Sequence, residues 1–430
     1  MNPSDQRDRD NEHATPQDSP LLVGIDWADE KHDLTIIEPG RAPRHMQVDA
    51  NPQDVENMIA ELRNVASGRK IAVCLEKGRV RIIHQLLFHD DITLYPIDPK
   101  QVARYRESFK SSKAKDDGHD SYYLARMLEE RRDQLEPMKL DDPLTRRISL
   151  LSETRRTLVN NKTSVIQQLI AKIKLYHPLV FMLPTKQIES DLVQEFIRRF
   201  PDPRAIRKAR KQTLRKFFIR HGIKDTERVE ELITMLRETP LATSDASLIE
   251  PLVIHVQALT KQIQQLQATI KSCEQELKKA MSEHPDAQLF RVLPGAGDIL
   301  APRLLALFGS DRERYADADA LGSYVGIAPV TVQSGKKRKV SRRRACPKFL
   351  LQTFHEFAGC ARRFCPWSGA YYRWQRSKGV GHHAALRKLA TRWARILFQV
   401  WQKREPYDEG RYMASMHEKQ HPLIAFLITE

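Results

Sequence analysis

The chain has 430 residues, with 71 Lys and Arg against 55 Asp and Glu, a formal net charge of +16 and a pI of about 9.6. That length suggests roughly two to four domains with enough apolar residues for a sizeable core, and the basic balance points to a polyanionic partner, nucleic acid before a membrane surface. Five cysteines without a Cys-x-x-Cys pair argue against a disulfide framework or a zinc ribbon, and the absence of a secretory leader or a bilayer-length apolar run argues for a reducing, cytoplasmic setting.

Residues 1–20 are polar and charged and are expected to form a disordered tail. From Leu21 to Asp98 the pattern alternates. Strands are expected at Leu21–Ala28, His32–Ile37, Arg44–Val48, Ile71–Glu76 and Ile92–Ile97, with helices at Pro52–Ser67 and Arg79–Phe88. Three strands, a helix, a strand, a helix and a strand is the order of the ribonuclease-H-like (RuvC-like) fold. Helices at Pro99–Ser108 and Gly118–Glu130 would close this α/β domain at about residue 140. Cys74 lies within one of these apolar runs and reads as a core thiol, as does Cys273 further on.

Beyond Asp142 the strand pattern stops. Ile148, Leu151, Leu158, Val165 and Leu169 recur at near-heptad spacing. Leu252, Val256, Leu259, Ile263, Leu266, Ile270, Cys273, Leu277 and Ala280 alternate by four and three. Residues 141–285 therefore read as two long helical arms of coiled-coil type, pairing with each other or with a second subunit. Between the arms lies a basic insert, 196–218, interrupted by Pro201-Asp202-Pro203. Its Arg198, Arg199, Arg204, Arg207, Lys208, Arg210, Lys211, Arg215 and Lys216 form either a solvated face or a phosphate-contacting surface.

A mostly helical carboxy-terminal domain is expected over 286–410, with 411–430 as a tail. It opens on Leu293-Pro294-Gly295-Ala296-Gly297, a turn of helix-hairpin-helix type. The backbone amides at Gly295 and Gly297 can hold a phosphate without reading sequence. Gly326-Ile327-Ala328-Pro329 and Gln333-Ser334-Gly335 follow, then Lys336-Lys337-Arg338-Lys339-Val340-Ser341-Arg342-Arg343-Arg344, in which seven of nine residues are basic. Ser334 sits in a polar, glycine-flanked loop. Such a serine is usually a turn residue, but exposure beside cations is also what a serine attacking phosphorus requires. Trp367, Tyr371, Tyr372 and Trp374 suit base stacking and internal packing equally well.

Four acids stand out. Asp26 and Glu76 each close an apolar strand, where a charge needs solvent or a cation. Asp117 and Asp120, in Lys115-Asp116-Asp117-Gly118-His119-Asp120-Ser121, are three apart and share one face of a helix's first turn. A helix N-terminus favours acids in any case, so a plain capping role is the alternative. Four carboxylates without a matching His or Cys set suit a hard, oxygen-preferring ion, Mg²⁺ or Mn²⁺, as used in phosphodiester chemistry.

Together these stretches resemble the DEDD transposases of bacterial insertion sequences, the group that includes Piv-type DNA invertases and bridge-RNA-guided recombinases. The likeness covers nearly the whole chain after the tail. It is carried by Val23-Gly24-Ile25-Asp26, Leu75-Glu76, the Lys115–Ser121 segment, Leu293–Gly297, Gly326–Pro329 and Gln333-Ser334-Gly335. The family pattern Lys-Thr-Asp-x-x-Asp-Ala selects Asp117 and Asp120 over Asp116. The resemblance implies a RuvC-like metal site at Asp26, Glu76, Asp117 and Asp120 and a nucleophilic Ser334 that completes a composite site. It also implies DNA as substrate, assembly into homodimers or homotetramers, and in several members a noncoding guide RNA. The chain departs from the family pattern at Asp116, Ser121, Lys77-Gly78 and Arg344-Ala345.

The reading is a site-specific DNA recombinase of a mobile element, localised with the bacterial nucleoid in the cytoplasm. One rival is a metal-dependent hydrolytic nuclease in which Ser334 is only a turn. Others are a Piv-type invertase and, from a different class, a basic nucleic-acid-binding scaffold with vestigial acids.

Overall fold

The computed structural model describes residues 19–78, 81–109, 117–335 and 337–427, and of residues 117–119 and 425 the backbone alone. It divides into two compact units, one ending at Leu140 and the other beginning at Asp141.

The first unit is built on five strands: β1 (Leu21–Asp26), β2 (Lys31–Ile37), β3 (Arg44–Asp49), β4 (Ile71–Glu76) and β5 (Ile92–Ile97). Their spatial order is β3-β2-β1-β4-β5. β2 is antiparallel to both its neighbours, while β1, β4 and β5 run parallel. The parallel steps need crossovers, supplied by α1 (Pro52–Ala66) and α2 (Arg81–Leu86). Asn51 caps α1 by accepting the Asp54 amide, and Pro52 takes the first turn, where a missing N–H costs nothing.

Both faces of the sheet are covered, and side chains alternate between them. Val23, Ile25, Val73 and Leu75 pack with Val55, Ile59, Leu62, Ile82 and Leu86 of α1 and α2. Ala72, Cys74 and Ile97 pack on the opposite face with Val102 and Tyr105 of α3 (Pro99–Glu107) and Tyr123, Leu124 and Leu128 of α4 (Asp117–Arg131). Gly24 makes the second contact possible. A Cβ there would overlap the Ser121 carbonyl oxygen and the Ala125 amide nitrogen, so α4 lies directly on the β1 backbone. Ser121 is buried and its hydroxyl bonds Thr35 Oγ1 at 2.8 Å. The serine that replaces the family's usual alanine is thus satisfied within the fold.

The second unit is mainly helical. Two long helices, α5 (Pro143–Tyr176, 34 residues) and α10 (Ala246–Glu283, 38 residues), pack antiparallel. Their direction follows from Thr145 bonding His284, Arg147 pairing with Glu276 and Arg155 pairing with Glu274. The heptad positions Leu259, Ile263, Ile270 and Leu277 are buried and Leu266 is half-buried. The two arms thus bury their seam against each other within one chain. Pro251 falls inside α10 without ending it.

Between the arms, α6 (Asp191–Arg199), α7 (Pro203–Lys208), α8 (Lys211–Arg220) and α9 (Thr226–Glu238) form a cap. Its core of Phe196, Phe200, Phe217 and Phe218 joins Leu169, Ile173, Val256 and Ile263 of the arms. His177 is buried here, its ring bonded to the Phe200 carbonyl oxygen at 2.9 Å. Burial pushes its pKa down to about 4, against the weaker upward pulls of that carbonyl and Asp202. An unfolded chain would protonate this histidine near its ordinary value, about 6.5. The unfolded state therefore binds the extra proton, and the contribution to stability, fully present above about 6.5, falls away as pH drops towards 4. Roughly 3 kcal/mol is at stake. Chemical denaturation at pH 7 and pH 4.5 should show this loss in the native chain and a much smaller one in His177→Gln.

The carboxy-terminal helices share one core with the ends of the arms. Ile148, Leu277 and Met281 lie with Phe290, Leu304, Phe308, Phe357, Trp367, Trp393 and Trp401. The core draws on α11 (Ala287–Arg291), α12 (Gly297–Phe308), α13 (Ala318–Val325), α14 (Lys348–Phe364), α15 (Pro366–Ser377) and α16 (His382–Lys403). Residues 411–430, expected as a tail, are helical at α17 (Glu409–Glu418), and Met416 and Leu423 are buried in the same core. The strand pattern also does not stop at Asp142. β6 (Val330–Ser334) and β7 (Lys337–Ser341) form an antiparallel hairpin.

Candidate functional site

β1 and β4 are parallel neighbours in the register Ile25↔Leu75, so Asp26 and Glu76 end adjacent strands at one edge of the sheet. Alternation from Gly24 and Cys74 places both acids on the face covered by α4. The end of α4 and the turn after it, Leu128 to Asp133, line a cavity with Ser19, Pro20 and Leu22 at the start of β1. Helix α4 therefore runs back along β1, with Ser121 and Ala125 over Gly24 and its first turn directed towards the end of β1 that carries Asp26. Asp26, Glu76 and Asp120 are each half-buried.

Asp120 accepts two hydrogen bonds from Arg106 Nη1 on α3, at 2.8 and 3.1 Å, which fixes its carboxylate. Asp117 opens α4, and its side chain lies outside the described residues, as does Asp116 altogether. Trp27 ties the loops after β1 and β4 together. Its Nε1–H donates to the Glu76 carbonyl oxygen at 3.1 Å, and its ring leaves no room at Gly78, where a Cβ would lie 2.8 Å from Cζ2. Asp33 pairs across β1–β2 with Asp26 and adds a carboxylate to this edge, held by Gln47 at 3.0 Å. His32 beside it is buried. Burial, and then the Arg81 charge, hold its pKa below the ordinary histidine value. Arg106, Trp27 and Asp33 carry no periodic or spacing signal, which is why the sequence reading omits them.

The donors at this edge are carboxylate oxygens, the set that suits a hard divalent ion. Among the described residues no group of three His, Cys, Asp or Glu lies close enough to hold a metal ion.

In the second unit Ser334 ends β6, opposite Lys337 of β7. The turn begins at Gly335, whose φ of 55° falls where only glycine is unstrained. Ser334, Lys337, Arg338, Lys339, Arg342 and Arg344 are exposed and Arg343 is half-buried, while Lys336 lies outside the described residues. The serine thus sits at the tip of a cationic hairpin rather than in an irregular loop. Gly295 and Gly297 both have positive φ, 78° and 54°. They differ in surroundings. Gly295 lies against Cys360 and Phe364 of α14, whereas nothing crowds Gly297 at the start of α12. Of the two, Gly297 offers the open backbone that a phosphate contact needs.

Some of the other candidates have partners within the fold. In the basic insert, Arg198, Arg204 and Arg215 pair with Glu195, Asp202 and Glu230, and Arg207 bonds the Thr239 carbonyl. Trp367 is fully buried and donates to the Tyr407 hydroxyl at 2.7 Å, so it packs.

Comparison with known proteins adds the family. Residues 23–178 match the IS110-type DEDD family model, described as transposase, and residues 287–373 match the model of the transposase IS116/IS110/IS902 family. The chain belongs to the IS110-type DEDD transposases. Its relatives include the IS117 mini-circle protein of Streptomyces coelicolor, named as that element's putative transposase. The two are 29% identical over 409 residues, covering 92% of this chain and 97% of the relative. A 42 kDa protein of insertion element IS900 from Mycobacterium paratuberculosis is 23% identical over 405 residues, 92% of this chain and 99% of the relative. A 44.8 kDa protein of IS116 from Streptomyces clavuligerus is 24% identical over 384 residues, 88% and 94%. The family supports insertion-sequence transposase function and, with it, DNA binding. No helix among the described residues of this transposase is long and apolar enough to cross a membrane.

Proposed function

We propose that this transposase cuts and rejoins DNA strands through a metal-bound acid tetrad, Asp26, Glu76, Asp117 and Asp120, with Ser334 as nucleophile, guided by a noncoding RNA of its own element and assembled as a homodimer or homotetramer. The observation that supports this reading is the parallel pairing of β1 with β4, which ends Asp26 and Glu76 on adjacent strands, on the sheet face that α4 covers. The strand order β3-β2-β1-β4-β5 supports the ribonuclease-H-like reading of that unit.

The four acids would hold Mg²⁺ or Mn²⁺, which when bound supplies Lewis-acid polarisation of phosphate oxygens. Arg106 keeps Asp120 oriented, and Trp27 keeps the two strand ends in register. The exposed Ser334 hydroxyl attacks phosphorus. The P–Oγ bond forms and the P–O3′ bond breaks. The serine proton passes to a solvent base, and the departing 3′ oxygen takes a proton from solvent to leave as a hydroxyl. The product is a 5′-phosphoserine, which the 3′-hydroxyl of the exchanged strand later resolves by the reverse step. Lys337, Arg338 and Lys339 stand beside the serine to offset the charge that grows on the phosphate.

A recombination assay on the element's own ends tests the assignment. Ser334→Ala and Glu76→Gln should both abolish exchange while the folded chain still binds DNA. If Ser334→Ala recombines at the normal rate, the nucleophile is wrong and the hydrolytic reading replaces it. Salt titration tests the hairpin. Neutralising Lys336, Lys337, Arg338 and Lys339 should flatten the dependence of log K on log salt by about 0.9 for each duplex phosphate that is no longer neutralised. An unchanged slope would leave the hairpin as a solvated surface.

A further inference from the structure

Three arginines converge on a small polar cavity of about 180 Å³ in the second unit, enclosed by α5, α10, α12 and α14. Arg155 and Arg156 reach it from α5 and Arg303 from α12, with Ser152, Asn160 and Glu356 beside them. Arg303 is only 9% exposed. Its Nη1 donates to Glu356 Oε2 at 2.6 Å and its Nε to Thr353 Oγ1 at 3.0 Å. Its Nη2, which is buried, has no hydrogen-bond partner among the described residues, and neither do the buried Arg156 Nε and Ser152 Oγ. The guanidinium carbons of Arg156 and Arg303 both lie 4.7 Å from the centre of the Phe349 ring, so two like charges share one aromatic surface.

A buried guanidinium group with an unmade hydrogen bond is costly. Buried Arg303 and partly buried Arg156 share one ring, and of the three arginines Arg155 pairs with Glu274 and Arg303 with Glu356. Burial, followed by the charges of Arg156 and Arg155, pushes the Arg303 pKa down against the pull of Glu356. The cavity is too roomy for a single small ion, since a water's share of liquid is about 30 Å³. Its lining mixes Val159, Leu277 and Ile299 with the three arginines, Ser152, Asn160 and Glu356, so a ligand there must meet the unsatisfied guanidinium groups. Planar guanidinium forks match the paired oxygens of a tetrahedral oxyanion.

We propose that this cavity is a phosphate-binding site, in which Arg303 Nη2, Arg156 and Ser152 hold one phosphate group. The site lies apart from both the acid edge and Ser334 in sequence and in the elements that form it. It does not depend on the strand-exchange chemistry. The phosphate can come from a nucleic-acid backbone or from a free phosphate, and the experiment separates the two.

The test is calorimetric titration of the purified full chain with inorganic phosphate, against chloride at matched ionic strength. One phosphate should bind. Arg156→Gln, which leaves the buried Arg303–Glu356 pair intact, should weaken binding by roughly tenfold or more, the worth of a charge-assisted bond. Glu356→Gln removes the competing carboxylate and should tighten it. Arg303→Gln should abolish binding where it folds. Absence of phosphate binding overturns the proposal. So does equal binding by the native chain, Arg156→Gln and Glu356→Gln, which would mean an adventitious ion only. A parallel loss of affinity for a DNA or RNA duplex in Arg156→Gln assigns the phosphate to a nucleic-acid backbone. Unchanged duplex binding, with inorganic phosphate binding abolished, assigns it to a free one.

Discussion

Asp26→Asn should lower strand cleavage by roughly a thousandfold or more while the protein stays folded. The substitution keeps the shape of the side chain and removes its charge. Asp26 ends β1 in a half-buried position, so its backbone pairing with Asp33 is untouched. What is lost is one negative charge of the proposed acid set. Glu76→Gln should behave alike, because Glu76 ends the neighbouring parallel strand on the same face. Circular dichroism and thermal melting of the variants should match the parent, and DNA binding through the second unit should persist. Cleavage by Asp26→Asn at a rate near that of the parent would remove this edge from the chemistry and leave Asp117 and Asp120 as plain capping acids of α4.

Gly24→Ala should be the most damaging single-methyl change in the first unit. The added Cβ has backbone, not a movable side chain, in its way at Ser121 and Ala125. Helix α4 must then lift from β1, opening the packing of Leu124 and Leu128 on Ala72 and Cys74 and separating Ser121 from Thr35. Overpacking of this kind costs about 3 kcal/mol or more when the obstacle cannot yield. Because the same helix carries Asp117 and Asp120, the variant should lose activity along with stability. Denaturant melts of the isolated variant check the first part, and a cleavage assay below its melting temperature checks the second. A stable and active Gly24→Ala would show that α4 does not rest on β1 as described.

The first unit was legible because its strands are short apolar runs bounded by charges. The run Ile71–Glu76 has the expected bounds, and the run from Leu21 ends at Asp26, two residues before the expected end. The heptad spacing of Leu259, Ile263, Ile270 and Leu277 implied a partner helix, either the other arm or a second subunit, and these positions are buried. Orientation was not legible. Spacing does not tell that α10 returns antiparallel, nor that the two arms satisfy each other within the chain. The β6–β7 hairpin was hidden by charge: Val330-Thr331-Val332 has strand-forming residues, but Lys337-Arg338-Lys339 reads as a solvated run. Burial is no guide there, because nearly every described side chain in both strands is exposed. Trp27, Asp33 and Arg106 reach the acid edge through tertiary contacts alone, and no local pattern announces them. The cation pocket around Arg303 is likewise assembled from helices far apart in sequence.

A serine on a cationic hairpin is expected to become joined to DNA when the acid edge is intact. The most direct measurement traps the chain on its element's ends cut by a nick, digests the protein and maps any nucleotide-bearing peptide by mass spectrometry. One adduct is expected, on the peptide containing Ser334, present in the parent and absent from both Ser334→Ala and Asp117→Ala. Cleaved DNA with no adduct in the parent, or an adduct that survives in Ser334→Ala, would contradict it.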